Sequence, residues 1–340
     1  MFYQSNFKIM KVAVYSFHKF EKEYLTNSNL SKHELRLLDT RLTLQTAQLA
    51  EGCKTASIFV NDDASAPVLN ELKKQGVEFL ALRSAGYNHV DLVAAKKLGL
   101  RIAHVPGYSP YAVAEHAVAM MLALNRKLIR SHNRVRELNF TLDGLVGFDM
   151  HDKTIGLIGT GKIGAVMAKI MNGFGCKIIA TDLIENKELK EKYGVTYTDC
   201  ESLCSKADII SLHLPFSAET KHLINKNCID KMKHGVMLIN TSRGGLINTK
   251  DVIDGLKSGR IGYLGIDVYE EEADVFFSDL SDVGIDDDQL SRLLTFPNVL
   301  VTSHQAFLTR EALKAIATTT IESIRRFENH GDLKEVMITY

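Results

Sequence analysis

From its sequence the chain is an α/β protein of two doubly wound domains, each a parallel sheet between helices. Three observations predict this. Short β-branched and apolar runs alternate with helical patterns from Lys11 nearly to the end of the chain. A Gly-x-Gly-x-x-Gly turn stands in mid-chain between such a run and a helical stretch. The 340 residues are enough for two packed cores.

In chain order, residues 11–16 read as the first strand, 35–39 as another, and 56–60, 79–83 and 101–105 as three more. The patterns of 68–75 and 90–98 are helical and are stopped by Gly76 and Gly99. After Pro106 and Pro110 one long helical pattern covers 111–138, with Ala114, Val118, Met121, Leu122 and Leu128 along its apolar stripe. Its length suits a helix that carries the chain from one domain into the next. Residues 111–304 are then expected to form an inserted dinucleotide-binding domain of the Rossmann type, and 1–110 with 305–340 a flavodoxin-like substrate domain. Within the insertion, 208–214, 235–241, 263–268 and 298–303 read as strands, each feeding a loop with polar residues. Ligands of open α/β sheets bind at such strand ends. A last helix over 309–329 is long enough to return to the first domain, and two crossings imply a hinge with a cleft.

The glycine-rich turn is Gly159-Thr160-Gly161-Lys162-Ile163-Gly164. Gly159 allows the tight turn out of the strand, Gly161 lets backbone approach a pyrophosphate, and Gly164 lets the helix lie close on the sheet. A second strand, 176–181, ends on Asp182, 18 residues past Gly164, where an acid meets the adenosine ribose hydroxyls. A carboxylate there repels a 2′-phosphate, and Leu183 and Ile184 supply no offsetting arginine, so NAD is expected rather than NADP.

Lys+Arg and Asp+Glu are both 41, which gives no basic balance for nucleic acid and no acidic effector tail. No apolar segment approaches the roughly 20 residues of a membrane span, and no signal-peptide pattern opens the chain, so a cytoplasmic protein is expected. The first nine residues read as an irregular extension, with Met10 an alternative start. Cysteines 53, 176, 200, 204 and 228 read as reduced thiols; Cys200 and Cys204 share a helix face, but no matching pair completes a zinc site. No metal is expected.

Three strand ends carry chemistry. In Asn240-Thr241-Ser242-Arg243-Gly244-Gly245, Arg243 follows an apolar strand, where its rigid fork can clamp a carboxylate or polarise a carbonyl. A run of acids, Glu270, Glu271 and Glu272, follows the next strand. His304 ends the last one; such a histidine is a proton donor near neutral pH when a carboxylate orients its imidazole.

These runs resemble the D-isomer-specific 2-hydroxyacid dehydrogenase family, and within it most nearly the fermentative D-lactate dehydrogenases. Besides the motifs above, the resemblance rests on Ala81-Leu82-Arg83-Ser84-Ala85-Gly86, Val105-Pro106-Gly107-Tyr108-Ser109-Pro110, Ala112-Val113-Ala114-Glu115-His116, Asp267-Val268-Tyr269-Glu270 and His304-Gln305-Ala306-Phe307. It implies that Arg243 binds the substrate carboxylate or keto oxygen, that His304 is the general acid, and that Glu272, rather than Glu270 or Glu271, is its partner. It also implies that the backbone N–H groups of Ser84, Ala85 and Gly86 take the substrate carboxylate, while Tyr108 and Phe307 help to bound a small pocket. For NAD it implies Lys162 and Ile163 along the pyrophosphate, Asp182 on the ribose, and Leu214, Pro215 and Thr220 on the adenine side. Thr241, Ser242, Arg243 and Asp267 would lie toward the nicotinamide. One departure is Gly107, where the lactate enzymes usually carry alanine.

The implied activity is reversible reduction of pyruvate by NADH to D-lactate. The alternatives are a larger 2-keto acid substrate and a non-enzymatic NADH-sensing protein of the same fold. The stretch from Phe276 and Phe277 to Asp288 reads as a solvated loop that begins a short helix at Gln289, and the resemblance implies that the two phenylalanines pack on the first domain. A homo-oligomer, dimer or tetramer, is expected, with the long helix from Tyr111 as a possible interface.

Overall fold

The structure is a computed structural model that describes residues 9–338, the side chain of Asp274 excepted; the N-terminal extension, apart from Ile9, lies outside the described residues. The chain divides into two compact units, one of Met1–Ser109 with Leu308–Tyr340 and one of Pro110–Phe307.

The first unit holds five strands, β1 (Lys11–Val14), β2 (Glu34–Leu37), β3 (Thr55–Ile58), β4 (Phe79–Leu82) and β5 (Arg101–Ala103). All pair in parallel, in the order β2-β1-β3-β4-β5, the flavodoxin order. Every residue of β3 and β4 is buried, which is why they read as unbroken apolar runs rather than as alternation. One face is covered by Ala66–Lys74, through Val68, Leu69 and Leu72. The other is covered by Arg310–Glu328, whose Ala317, Ile321, Ile324 and Phe327 pack against Val12, Val14 and Phe79. The Phe79 and Phe327 rings stack 4.5 Å apart. Thr309 caps that helix by accepting from the Ala312 N–H, a contact worth about 1 kcal/mol.

The second unit holds seven parallel strands: β6 (Thr154–Ile158), β7 (Lys177–Thr181), β8 (Thr196–Tyr197), β9 (Ile209–Leu212), β10 (Val236–Asn240), β11 (Ile261–Ile266) and β12 (Val299–Val301). Their order is β12-β11-β10-β9-β6-β7-β8, with the switch point of a Rossmann sheet between β6 and β9. The two-residue β8 is too short to leave a periodic signal. No described helix is long and apolar enough to cross a membrane.

Two expectations need correction here. The helical pattern of 111–138 is two helices, Pro110–Asn125 and Leu128–Arg136. Lys127 breaks it in the left-handed region at φ 50°. Asn125 closes the first helix: its side-chain amide donates to the Phe148 carbonyl at 2.7 Å and accepts from the Phe148 N–H at 2.8 Å. The first helix is buried along Ala114, Ala117, Met120, Met121 and Leu124, against the sheet of its own unit, so it offers no free apolar face. The second has no buried residue at all, and Leu128, Ile129 and Val135 are exposed. The second correction concerns Phe276, which is buried in the core of the Pro110–Phe307 unit itself, with Phe277 packed beside that core. The helix expected from Gln289 is Asp288–Leu294, capped by Asp287, which accepts from the Leu290 N–H.

Candidate active site

Ile158, Leu212, Asn240, Ile266 and Val301 stand in register across β6, β9, β10, β11 and β12. The strands therefore release their loops at one height, and Gly159, His213, Thr241, Asp267 and Thr302 begin a common rim along the carboxyl edge of the sheet. Arg243 lies three residues past Asn240 and His304 three past Val301. Neighbouring strands are about 4.8 Å apart, so these two loops rise about 10 Å from one another.

The His304 loop is held by a buried carboxylate. Asp267 accepts at Oδ1 from the Thr302 hydroxyl at 2.5 Å and the Gln305 N–H at 2.8 Å, and at Oδ2 from the Ala306 N–H at 2.8 Å. Its backbone carbonyl takes the His304 N–H at 2.7 Å. Burial pushes the pKa of this group up, but hydrogen bonds from His116, Thr302 and the two amides outweigh it and hold the carboxyl below its usual range. His304 itself sits at φ 49°, an unusual conformation for a non-glycine residue, which the surrounding bonds enforce. Its Nδ1 lies 2.7 Å from Glu272 Oε1, and Glu272 Oε2 accepts the Tyr269 N–H at 2.9 Å, so the carboxylate is fixed at both oxygens. Both side chains are mostly buried. Of the three neighbouring acids, Glu272 is the one that reaches His304; Glu270 pairs with His222 and accepts from the Thr249 hydroxyl at 2.9 Å, and Glu271 is exposed.

Arg243 is half-buried, and its Nη1 donates to the Ser242 carbonyl at 2.6 Å. Among the described residues its guanidinium pairs with no carboxylate. The loop is fixed from below: the Asn240 side chain donates to the Arg243 carbonyl at 2.8 Å, and the Ser242 hydroxyl donates to the Leu212 carbonyl at 2.7 Å. A Cβ at Gly244 would stand 2.1 Å from the Tyr269 backbone, so only glycine lets this loop lie against the acidic one.

At the other end of the rim, Gly159 turns at φ 95°, and a Cβ there would meet the His213 carbonyl at 2.4 Å. Gly164 faces the Gly159 carbonyl as closely, whereas around Gly161 there is open space. Gly161 begins the helix Lys162–Gly173 without any side-chain cap, which leaves its first N–H groups for a ligand. Ile163 packs on the core and Lys162 is exposed. Asp182 follows β7 and accepts at Oδ2 from the Thr160 N–H at 2.5 Å and hydroxyl at 2.9 Å. Partial burial raises its pKa, and these bonds together with the Ile184 and Leu183 amides bring it below the usual range, so it is a carboxylate. Leu214 packs on the core and Pro215 is exposed; the Thr220 hydroxyl is spent locally, donating to the Pro215 carbonyl at 2.9 Å and accepting from the Ser217 N–H at 2.8 Å. The buried Thr241 hydroxyl has no hydrogen-bond partner among the described residues. An uncapped glycine-rich helix start, a strand-end carboxylate and an orphaned hydroxyl on one rim fit a dinucleotide.

In the other unit, Ser84, Ala85 and Gly86 form the turn after β4. The Ser84 hydroxyl donates to the Gly86 carbonyl at 2.7 Å, and His104 Nδ1 lies 2.8 Å from the Ala85 carbonyl. Below it Arg83 is buried on Glu21, at 2.8 Å, and on the Tyr15 carbonyl, at 2.7 Å. Tyr108 is half-buried in this unit, and Phe307 is buried at the end of the other.

The sequence reading had no role for His116. Its Nε2 lies 3.1 Å from the Thr302 hydroxyl, which is itself a donor to Asp267, so His116 must donate and the three form one chain under the His304 loop. The signal was a lone histidine on an otherwise apolar, buried helix.

Residues 118–306 match the family described as D-isomer specific 2-hydroxyacid dehydrogenase, NAD binding domain. D-lactate dehydrogenase of Escherichia coli (strain K12) is 51% identical over 320 residues, covering 94% of this chain and 97% of that protein. The apo-structure of D-lactate dehydrogenase from Escherichia coli superposes with a TM-score of 0.88 at 47% identity, covering 97% of this chain and all of the other. The D-lactate dehydrogenase of Aquifex aeolicus, solved with NAD and lactic acid, gives a TM-score of 0.86 at 31% identity, over 96% of this chain and 98% of the other. The chain therefore belongs to the D-isomer-specific 2-hydroxyacid dehydrogenase family, and the greater part of its second unit is that family's NAD-binding domain.

Proposed function

We propose that the chain is a cytoplasmic, NAD-dependent D-lactate dehydrogenase that reversibly reduces pyruvate to D-lactate. The observation that carries this reading is the His304–Glu272 pair, at 2.7 Å, two strands from the Arg243 loop on a dinucleotide-binding rim. The bound nicotinamide supplies the hydride and takes it back in the reverse direction. Glu272 engages His304 Nδ1, which turns Nε2 toward the substrate to give a proton to the keto oxygen as charge grows there. Among the described residues no carboxylate neutralises Arg243, so its guanidinium is available to the substrate's carboxylate or keto oxygen. The N–H groups of Ser84, Ala85 and Gly86, in a turn whose carbonyls are already taken, bind the substrate carboxylate, and Tyr108 and Phe307 select for a small acid. Lys162 and Ile163 line the pyrophosphate, and Asp182 takes the ribose hydroxyls. Leu214, Pro215 and Thr220 flank the adenine side, while Thr241, with its unpartnered hydroxyl, and Ser242 lie toward the nicotinamide end. Asp267 lies toward that end too and acts by positioning the His304 loop.

We further infer that the chain works as a homo-oligomer, a dimer or a tetramer. The segment after Asn125 exposes Leu128, Ile129, Val135, Leu138, Phe140, Leu142 and Val146, a run of apolar side chains that a second copy would cover. The test of the substrate is NADH consumption, compared as kcat/KM for pyruvate and for 2-ketoisocaproate. Preference for pyruvate is expected; preference for the bulkier acid would overturn the lactate assignment, and no consumption with either would favour a binding protein.

A further inference from the structure

Away from the strand-end rim, three of the five cysteines meet. Cys200 and Cys204 lie one turn apart on the helix Cys200–Lys206, and Cys228 lies on Lys226–Lys231, which packs beside it. Cys204 Sγ is 3.1 Å from Cys228 Sγ, and Cys200 lies one helical turn from Cys204 on the same helix. Cys204 is buried, whereas Cys200 and Cys228 are each half-exposed. Cys53 and Cys176 are buried with no sulfur partner, and they give an internal reference. Among the described residues no group of three His, Cys, Asp or Glu side chains could hold a metal ion, so coordination does not account for the cluster.

The sulfurs divide their roles. The hydrogen bonds from Cys204 and Cys228, helped by the Lys231 charge, favour the thiolate at Cys200 over the opposing effects of burial and Asp199. The same hydrogen bonding, with burial, keeps Cys204 a thiol, and the bond to Cys200 with burial pushes Cys228 up to about 12. A half-exposed sulfur that favours the thiolate thus shares a cluster with two that favour the thiol, one of them on a different helix.

We propose that Cys200, Cys204 and Cys228 form a peroxide-responsive site in which oxidation begins at Cys200 and ends as one disulfide tying the two helices together through Cys228. The Cys200 thiolate attacks hydrogen peroxide: an S–O bond forms, the O–O bond breaks, and the departing hydroxide takes a proton to become water. Cys228 then attacks the sulfenic sulfur: the S–S bond forms, the S–O bond breaks, and the second water leaves with the Cys228 proton. Two thiols are oxidised by two electrons and one peroxide is reduced. Cys204 can exchange into the bond in place of Cys200 without further oxidation. The loop so closed contains Leu214, Pro215 and Thr220.

Peptide mapping of the reduced full-length chain tests this, after one equivalent of hydrogen peroxide and alkylation of the remaining thiols. Trypsin leaves Cys200 and Cys204 together on residues 193–206 and Cys228 on 227–231. The expected product is these two peptides joined by a disulfide, with Cys53 and Cys176 alkylated and at least about tenfold slower to oxidise. In Cys228→Ser the joined peptide should vanish and dimedone should label 193–206 instead, as trapped sulfenic acid. Recovery of all five cysteines alkylated, or oxidation of Cys53 and Cys176 at the same rate, would overturn the proposal. A bond confined to residues 193–206 would overturn the role of Cys228 without any variant being needed.

Discussion

At the scale of single residues, His304 and Asp267 divide the work of one loop. Replacing His304 by Gln keeps a side chain of similar reach but no proton to give, so kcat should fall about a thousandfold with NADH affinity unchanged; near-normal turnover in a stopped assay would remove His304 as the acid. Asp182→Ala should raise NADP use relative to NAD, because the carboxylate that repels a 2′-phosphate is gone; unchanged discrimination in paired kcat/KM measurements would show that another group sets the preference. His213 makes a prediction about acid stability. Burial pushes its imidazole down to about 4, with Nε2 on the Ser211 hydroxyl at 2.9 Å. The folded chain then keeps it neutral while the unfolded chain protonates it below about 6.5, so stability is lost as pH falls from there toward 4, by about 2 kcal/mol at pH 5. Urea midpoints at pH 7 and pH 5 should show that loss reduced in His213→Gln; an equal loss in both proteins would mean that other groups carry it. Much at this scale was open to a reader of the sequence. The family resemblance, through the spacing of the acids and the histidine, singled out Glu272 and His304. The same spacing said nothing of Asp267 as the anchor of the loop, because its bonds run to backbone N–H groups, which leave no mark in a sequence.

Among the elements, strands were the most legible, because parallel strands covered on both faces are continuous apolar runs bounded by turns. The helix break at Lys127 was not. A single left-handed residue needs no glycine when the Asn125 side chain and Phe148 backbone secure the turn, and the apolar stripe beyond it is written in the same residues whether it is buried or exposed. That exposed stripe carries its own prediction. If the chain assembles through this stripe as proposed, the double substitution Leu138→Glu and Phe140→Glu should leave it monomeric in analytical ultracentrifugation, since both side chains are largely exposed and neither supports the fold of its own unit. A wild-type chain that is already monomeric, or a variant that still dimerises, would locate any interface elsewhere. The cysteine cluster shows the limit of local reading in another way. Cys200 and Cys204 announce themselves at helical spacing, but Cys228 is brought to them only by the packing of two short helices.

For the whole molecule, a flavodoxin-like and a Rossmann domain were expected; the β2-β1-β3-β4-β5 order of one unit and the order around the β6/β9 switch in the other match them, with β8 added beyond the strands that were read. Both units end their strands in loops with polar groups, the turn after β4 in one and the rim past Asn240, Ile266 and Val301 in the other. Which face of the ketone receives the hydride is not written in any one residue, so the handedness of the product is the most demanding consequence of the assignment. Chiral chromatography of the lactate formed from pyruvate and NADH measures it directly. D-lactate alone, in one-to-one ratio with the NADH consumed, is the expected result; L-lactate, a racemate, or no lactate at all would contradict the account.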